Sequence, residues 1–278
     1  MTAFLDSEFK PAKPTEAAFH VVPAPYEKSV SYGTGTKFGP KTIIEASSQL
    51  EKIQRGKAPG EKGIYTAKPA PTLNAIEKAV SYALKCHSTP FLLGGEHTVT
   101  LPAIKALKAA CGSEIGLIQF DAHADLRFAY EDDPLSHASV MRRISELNIP
   151  IAQFGTRSYC REEQDYRQDK KNKVTFHDAE ELFRRFKENK KNKLLPQSFP
   201  KKIYISFDID GLDSAIMPAT GTPVPGGLLW YQTLDLLAEL TKGRTIIGMD
   251  LVEFSPIKNF HAYDFTAATL AYEMMALV

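Results

Sequence analysis

Asp121, His123 and Asp125 alternate along Phe120-Asp121-Ala122-His123-Ala124-Asp125, and His137 follows twelve residues later. In an extended chain alternate side chains share a face, so these three would converge while Ala122 and Ala124 turn away. Carboxylate oxygens mixed with imidazole, and no thiolate beside them, suit a first-row divalent cation such as manganese better than a structural zinc. A second segment has the same design. The strand-type run Lys202-Ile203-Tyr204-Ile205-Ser206-Phe207 ends in Asp208-Ile209-Asp210-Gly211-Leu212-Asp213. Two carboxylates at the end of an apolar strand repel strongly unless one is protonated or a cation lies between them. Asp213 reads as a brace for the turn. In a third segment, Pro90-Phe91-Leu92-Leu93 runs into Gly94-Gly95-Glu96-His97, where the glycines let the backbone bend and present His97 as a further nitrogen donor. Glu96 reads as a supporting group, not a ligand.

These segments can meet only if the elements carrying them end near one point. Strand-like runs at Ala18–Pro23, Phe91–Leu93, Ile115–Phe120, Ile151–Gly155, Val174–Phe176, Ile203–Phe207 and Thr245–Val252 alternate with helical patterns. The helices are expected near Pro40–Ile53, Thr72–Cys86, Leu101–Cys111, His137–Leu147, Ala179–Asn189, Tyr231–Leu240 and Thr266–Leu277. This rhythm predicts an α/β fold with helices on both faces of a mostly parallel sheet, in which ligands gather at the carboxyl ends of the strands. No repeat or linker divides the chain, so residues 1–278 are expected to form a single domain. The stretch Pro11 to Pro25 reads as an entry segment crossing the surface. The charged run Arg161–Lys193, with Lys187, Lys190, Lys191 and Lys193 at its end, reads as a solvated helix and loop edge, because acidic residues are interspersed through it.

Composition fits an enzyme with a sizeable core. Lysine and arginine number 34 against 33 acidic residues, a net charge of +1 that gives no reason to expect a nucleic acid or membrane partner. Cys86, Cys111 and Cys160 are odd in number and widely spaced, as expected in a reducing compartment. Met1 to Lys10 carries no cationic and apolar leader pattern, and no later stretch reaches the length of a membrane span, so the expected location is cytoplasmic.

Four motifs in this order and at these separations resemble the ureohydrolases, the arginases, agmatinases and their relatives: Gly94-Gly95-Glu96-His97, Asp121-Ala122-His123-Ala124-Asp125, Ser206-Phe207-Asp208-Ile209-Asp210-Gly211-Leu212-Asp213 and Gly221-Thr222-Pro223-Val224-Pro225-Gly226-Gly227. Prokaryotic agmatinases look most alike, through Asp125-Leu126-Arg127, the run from Ser136 to Arg143 and the run from Met249 to Pro256. The resemblance implies the three-layer αβα fold shared by arginases and deacetylases, a homo-oligomer (trimer or hexamer), and two manganese ions. His97, Asp121, Asp125 and Asp208 would hold one ion, and Asp121, His123, Asp208 and Asp210 the other. It further implies hydrolysis of agmatine to urea and putrescine by a metal-bridging hydroxide, with Asp210 passing on its proton, His137 as proton shuttle and Glu253 paired with the guanidinium nitrogens. A metal-dependent deacetylase shares the architecture, but would use one zinc where two histidine-bearing sets stand here.

The guanidino substrate depends on the segment after Asp125. Arginases place an asparagine where Arg127 stands, and a Ser/Thr-rich loop where this chain has Phe128-Ala129-Tyr130-Glu131-Asp132-Asp133-Pro134-Leu135. Contacts to an amino acid head group are therefore expected to be lost. Glu131, Asp132 and Asp133 would favour the ammonium of agmatine, whereas an inward Arg127 would suit a carboxylate such as that of 4-guanidinobutyrate. Aminopropylagmatine and arginine are the remaining alternatives.

Overall fold

The strands expected from the sequence all form, and one more joins them at an edge. In the computed structural model, which describes residues 2–112, 114–189 and 193–278, the strands are β1 (Phe19–Ala24), β2 (Ile64–Thr66), β3 (Thr89–Gly94), β4 (Ile115–Phe120), β5 (Ile151–Phe154), β6 (Val174–His177), β7 (Lys202–Asp208) and β8 (Thr245–Val252). They make one sheet of 8 strands in the order β2-β1-β3-β8-β7-β4-β5-β6, and every pairing is parallel. The helices are α1 (Gly39–Ser47), α2 (Leu73–Lys85), α3 (Thr100–Cys111), α4 (Val140–Glu146), α5 (Arg161–Gln168), α6 (Ala179–Lys187), α7 (Trp230–Thr241) and α8 (Ala262–Met275).

Most strands are apolar runs because both faces of the sheet are covered. Phe91, Ile118, Phe120, Ile205, Phe207 and Leu251 pack on one side with residues of α1, α6, α7 and α8. Leu92, Leu117, Tyr204 and Val252 pack on the other with α2, α3 and α4. Phe120 lies opposite Phe207 in the ladder, and their rings stack at 5.0 Å. Strands β3, β8, β7 and β4 are consecutive neighbours in the middle of the sheet. Their carboxyl ends carry His97, Glu253, Asp208 with Asp210, and Asp121 to Asp125, respectively, so residues far apart in sequence meet at one edge.

Two expectations change. The strand before Asp121 ends at Phe120, and Asp125 takes a left-handed φ of 53°. The Asp121–Asp125 side chains therefore converge by an irregular turn, not by strand alternation. The segment Pro11 to Pro25 does not simply cross the surface, since Phe19 to Ala24 is buried sheet. Pro23 is tolerated there because β2 pairs only Phe19 to Val21, leaving that side of β1 free of ladder bonds. Helix α5 lies within the charged run, while Lys190 and Lys191 fall outside the described residues. No described helix is long and apolar enough to cross a membrane.

The turn that delivers His97 is sterically exacting. Gly95 donates to the Ala24 carbonyl and accepts from Glu253 N–H, and a Cβ there would stand 2.0 Å from the Tyr26 carbonyl oxygen. A Gly95→Ala variant is predicted to lose about 1–3 kcal/mol of stability. Urea unfolding should show a lowered midpoint; an unchanged midpoint would mean that the backbone yields there.

Candidate metal centre

Asp121, Asp125 and Asp208 surround one nitrogen. The buried His97 Nδ1 lies 3.0 Å from Asp125 Oδ2, 3.2 Å from Asp121 Oδ2 and 3.3 Å from Asp208 Oδ2, yet it makes no hydrogen bond. Its ring is fixed from the other side. His97 Nε2 is 2.8 Å from Ser206 Oγ, which donates to Asp250 Oδ1 at 2.8 Å, and Asp250 Oδ2 accepts from Tyr204 OH and from Thr100 Oγ1 at 2.7 Å each. With the serine proton committed to Asp250, Ser206 can only accept from His97. A proton is thereby held on Nε2, which leaves Nδ1 as the nitrogen that faces the carboxylates and that would offer its lone pair to a metal ion.

A second cluster adjoins the first. His123 Nδ1 is 3.0 Å from Asp210 Oδ2 and 3.6 Å from Asp121 Oδ1. Ligand atoms of His97, Asp121 and Asp125 all lie within 4.8 Å of one another, as do those of Asp121, His123 and Asp210, so Asp121 belongs to both groups. The carboxylates are aimed by local bonds: Asp210 Oδ1 accepts from Ala122 N–H at 3.0 Å, and Asp208 Oδ1 from Asp210 N–H at 2.9 Å. Asp121 accepts from His123 N–H and from the buried Gln119 side chain, both at 2.6 Å, and Gln119 is in turn held by Gln153 at 2.7 Å.

Electrostatics without an ion are costly. Burial and the neighbouring Asp121 push Asp125 up to about 7, and burial with Asp210 and Asp121 raises Asp208 well above the carboxylate range. Burial opposes a charge on His123, but Asp210 and Asp121 override it and push the ring up to about 12. For His97 burial likewise lowers the pKa, and the facing Asp121, Asp125 and Asp208 lift it well above its ordinary value. Such a crowd needs positive charge, here supplied by two imidazolium rings; the same atoms form an oxygen-rich, nitrogen-containing donor set that suits a divalent cation. The unbonded His97 Nδ1 aimed at three oxygens is the observation that fits a metal best.

The cluster opens into a cavity of about 300 Å³ lined by His123, Asp125, Asp208, Asp210, Glu253, His137 and Arg127, with Tyr32, Tyr130 and Tyr159 among the other lining residues. Glu253 has a left-handed φ of 61°, and one of its oxygens accepts from His97 N–H at 2.6 Å. Burial is the main cause of its raised pKa, to which Glu96 and Asp125 add. His137 is kept below its usual value chiefly by burial. Arg127 lies at the wall with Nε 3.9 Å from the buried Glu163 and its guanidinium 5.6 Å from the Tyr130 ring centre. Glu131, Asp132 and Asp133 do not line this cavity: the first two are exposed, and Asp133 pairs with Lys28 at 3.0 Å. Asp213 braces its turn as expected, accepting from the Ala215, Gly226 and Gly227 amides.

Sequence reasoning did not single out Ser206, Tyr204, Asp250, Gln119, Gln153 or Arg157 as site residues. The Arg157 guanidinium bonds the carbonyls of Gly155, Asp210, Leu212 and Val224 and so ties the Asp210 loop to the Thr222–Pro225 loop. A polar residue inside an apolar strand run, as at Gln119, Ser206 and Asp250, is the signal that could have found three of them.

Known proteins are similar to this chain in sequence and fold. A model of the arginase family matches residues 17–277. The chain is 34% identical to an N(1)-aminopropylagmatine ureohydrolase of Synechocystis, over 98% of this chain and 92% of that protein. It is 30% identical to an agmatinase of Pyrococcus horikoshii, over 98% and 96% of the two chains. The agmatine ureohydrolase structure of Thermoplasma volcanium superposes with a TM-score of 0.82 at 27% identity, covering 100% of this chain and 94% of that one.

If Asp250 fixes His97 through Ser206, Asp250→Asn should weaken manganese binding about 10–100-fold. Calorimetric titration of the metal-free protein would measure it, and unaltered affinity would show that the network is only structural.

Proposed function

The chain belongs to the arginase family, and on that premise we propose that it is a two-metal ureohydrolase that releases urea from a linear guanidino amine, with N(1)-aminopropylagmatine ahead of agmatine. The observation that carries the reading is the pair of donor groups sharing Asp121 at the base of the cavity. His97, Asp121, Asp125 and Asp208 would hold one divalent ion, and Asp121, His123, Asp208 and Asp210 the second. Oxygen donors with two imidazoles favour manganese. When bound, such a pair lowers the pKa of water and supplies a nucleophile at neutral pH.

The chain's own groups do the rest. One oxygen of Glu253 is occupied by His97 N–H, which leaves the other for the substrate. A guanidinium in the cavity supplies the positive charge that holds Glu253 ionised in its buried position, and the charge-assisted contact orients the guanidino carbon. Collapse of the tetrahedral intermediate requires a proton on the departing amine. Asp210, at the floor of the cavity beside His123, would take up a proton released there. With its pKa lowered by burial, His137 is neutral at neutral pH, accepts that proton, and returns it to the leaving nitrogen.

Selection of the amine end rests on the outer wall. Since the acidic loop does not line the cavity, the tyrosines at its wall would meet a polyamine cation through their ring faces, beside the Glu163 carboxylate. The charge of Arg127, which would attract a carboxylate, is offset by Glu163. A longer amine would extend further toward this wall than agmatine. This reverses the preference for agmatine drawn from Glu131, Asp132 and Asp133.

With manganese present, urea release should be fastest from N(1)-aminopropylagmatine, slower from agmatine, and slowest from 4-guanidinobutyrate and L-arginine. Steady-state kcat/KM for the four compounds decides it; arginine or 4-guanidinobutyrate ahead of both amines would overturn the assignment.

A further inference from the structure

Glu96 is fully buried, next in sequence to His97, and its side chain contacts none of the candidate ligands. One of its oxygens accepts from the Lys28 and Ser29 amides; the other accepts from Ser29 Oγ at 2.8 Å and Thr98 Oγ1 at 2.6 Å. Four donors converging on one carboxylate in a loop approach are more than a turn requires. Their common effect is to fix Ser29, which touches His137 twice: Ser29 Oγ accepts from His137 N–H at 3.0 Å and lies 3.3 Å from Nδ1. Ser31 Oγ is 2.8 Å from Nε2 on the other side of the ring.

We propose that Glu96 is a positioning residue that fixes the tautomer of His137 through Ser29. A hydroxyl has one proton and two lone pairs. The Ser29 proton is taken by Glu96, so both lone pairs face His137, one for its backbone N–H and one for its ring. The ring must then donate from Nδ1, and Nε2 carries the free lone pair, which accepts from Ser31 on the cavity side. Carboxylate, hydroxyl and imidazole thus form a relay that holds the basic nitrogen of the shuttle toward the cavity. The logic is that of a base oriented by a third group. Its catalytic consequence rests on the shuttle role given to His137 above, whereas the tautomer assignment does not.

Nitrogen-15 NMR of histidine-labelled full-length protein, with the His137 signals assigned by their loss in His137→Asn, reads the tautomer directly. It is recorded without manganese to avoid paramagnetic broadening. The wild-type ring should be protonated at Nδ1. Glu96→Gln and Ser29→Ala should each move it toward the Nε2 form, the second serving if the buried substitution does not fold. On the manganese-loaded enzymes kcat should fall about 10–100-fold while KM stays within about threefold and manganese content is unchanged. A wild-type ring protonated at Nε2, or a tautomer unmoved in both variants, would overturn the proposal, as would a tautomer that moves without loss of kcat. Absence of urea release from every guanidino compound would overturn the proposed reaction instead, and the NMR result would still decide the relay.

Discussion

Carboxylates crowded around a single imidazole nitrogen set the terms for the rest of this structure. Asp121, Asp125 and Asp208 each bring an oxygen within 3.3 Å of His97 Nδ1, and all three are buried. Like charges so placed destabilise the fold unless positive charge joins them; among the described residues the two imidazoles inside the cluster supply it, with the Arg157 guanidinium close behind Asp210. Divalent cations meet the same need with more charge in less space. The central strands, the tight Gly95 turn and the buried polar chain behind His97 hold the oxygens together against their repulsion.

Much of this was legible in the sequence because it is local. A strand that ends in Asp-x-Asp, or runs into Gly-Gly-Glu-His, identifies both the element and the group it delivers. Alternation of such strands with helices was enough for the layered parallel sheet. What escaped depends on register or on weak patterning. Ser206 faces Asp250 because a bulge between β7 and β8 shifts the ladder after Ile203, and no spacing within either strand reports that shift. Helix α5 has no apolar stripe: its buried residues are Glu163 and Arg167, the latter held between Tyr159 and Phe176 and by Asp178. Strand β2 has three residues and pairs on one edge only. Alternation pointed to the convergence of Asp121, His123 and Asp125, but the chain reaches it by a left-handed turn at Asp125.

The cavity separates two tasks. Its floor, made by the ends of the central strands, presents the groups suited to hydrolysis and is braced by buried hydrogen bonds. Its wall is built from loops bearing Tyr32, Arg127, Tyr130 and Tyr159, where side chains can vary without disturbing the floor. Acidic residues that looked suited to an amine when read as a string, Glu131 and Asp132, sit at left-handed φ of 49° and 63° in a tight turn and face solvent. Proximity in sequence to a ligand is therefore a poor guide to the wall, whereas it was a good one to the floor.

One buried set of carboxylates and histidines is proposed to hold two ions through shared aspartates. Manganese titration of the metal-free protein followed by electron paramagnetic resonance tests it most directly, because two ions bridged by common ligands couple their spins. The account predicts saturation at two ions per chain with the spectrum of a coupled pair. Saturation at one ion, with the six-line spectrum of isolated manganese, would contradict it.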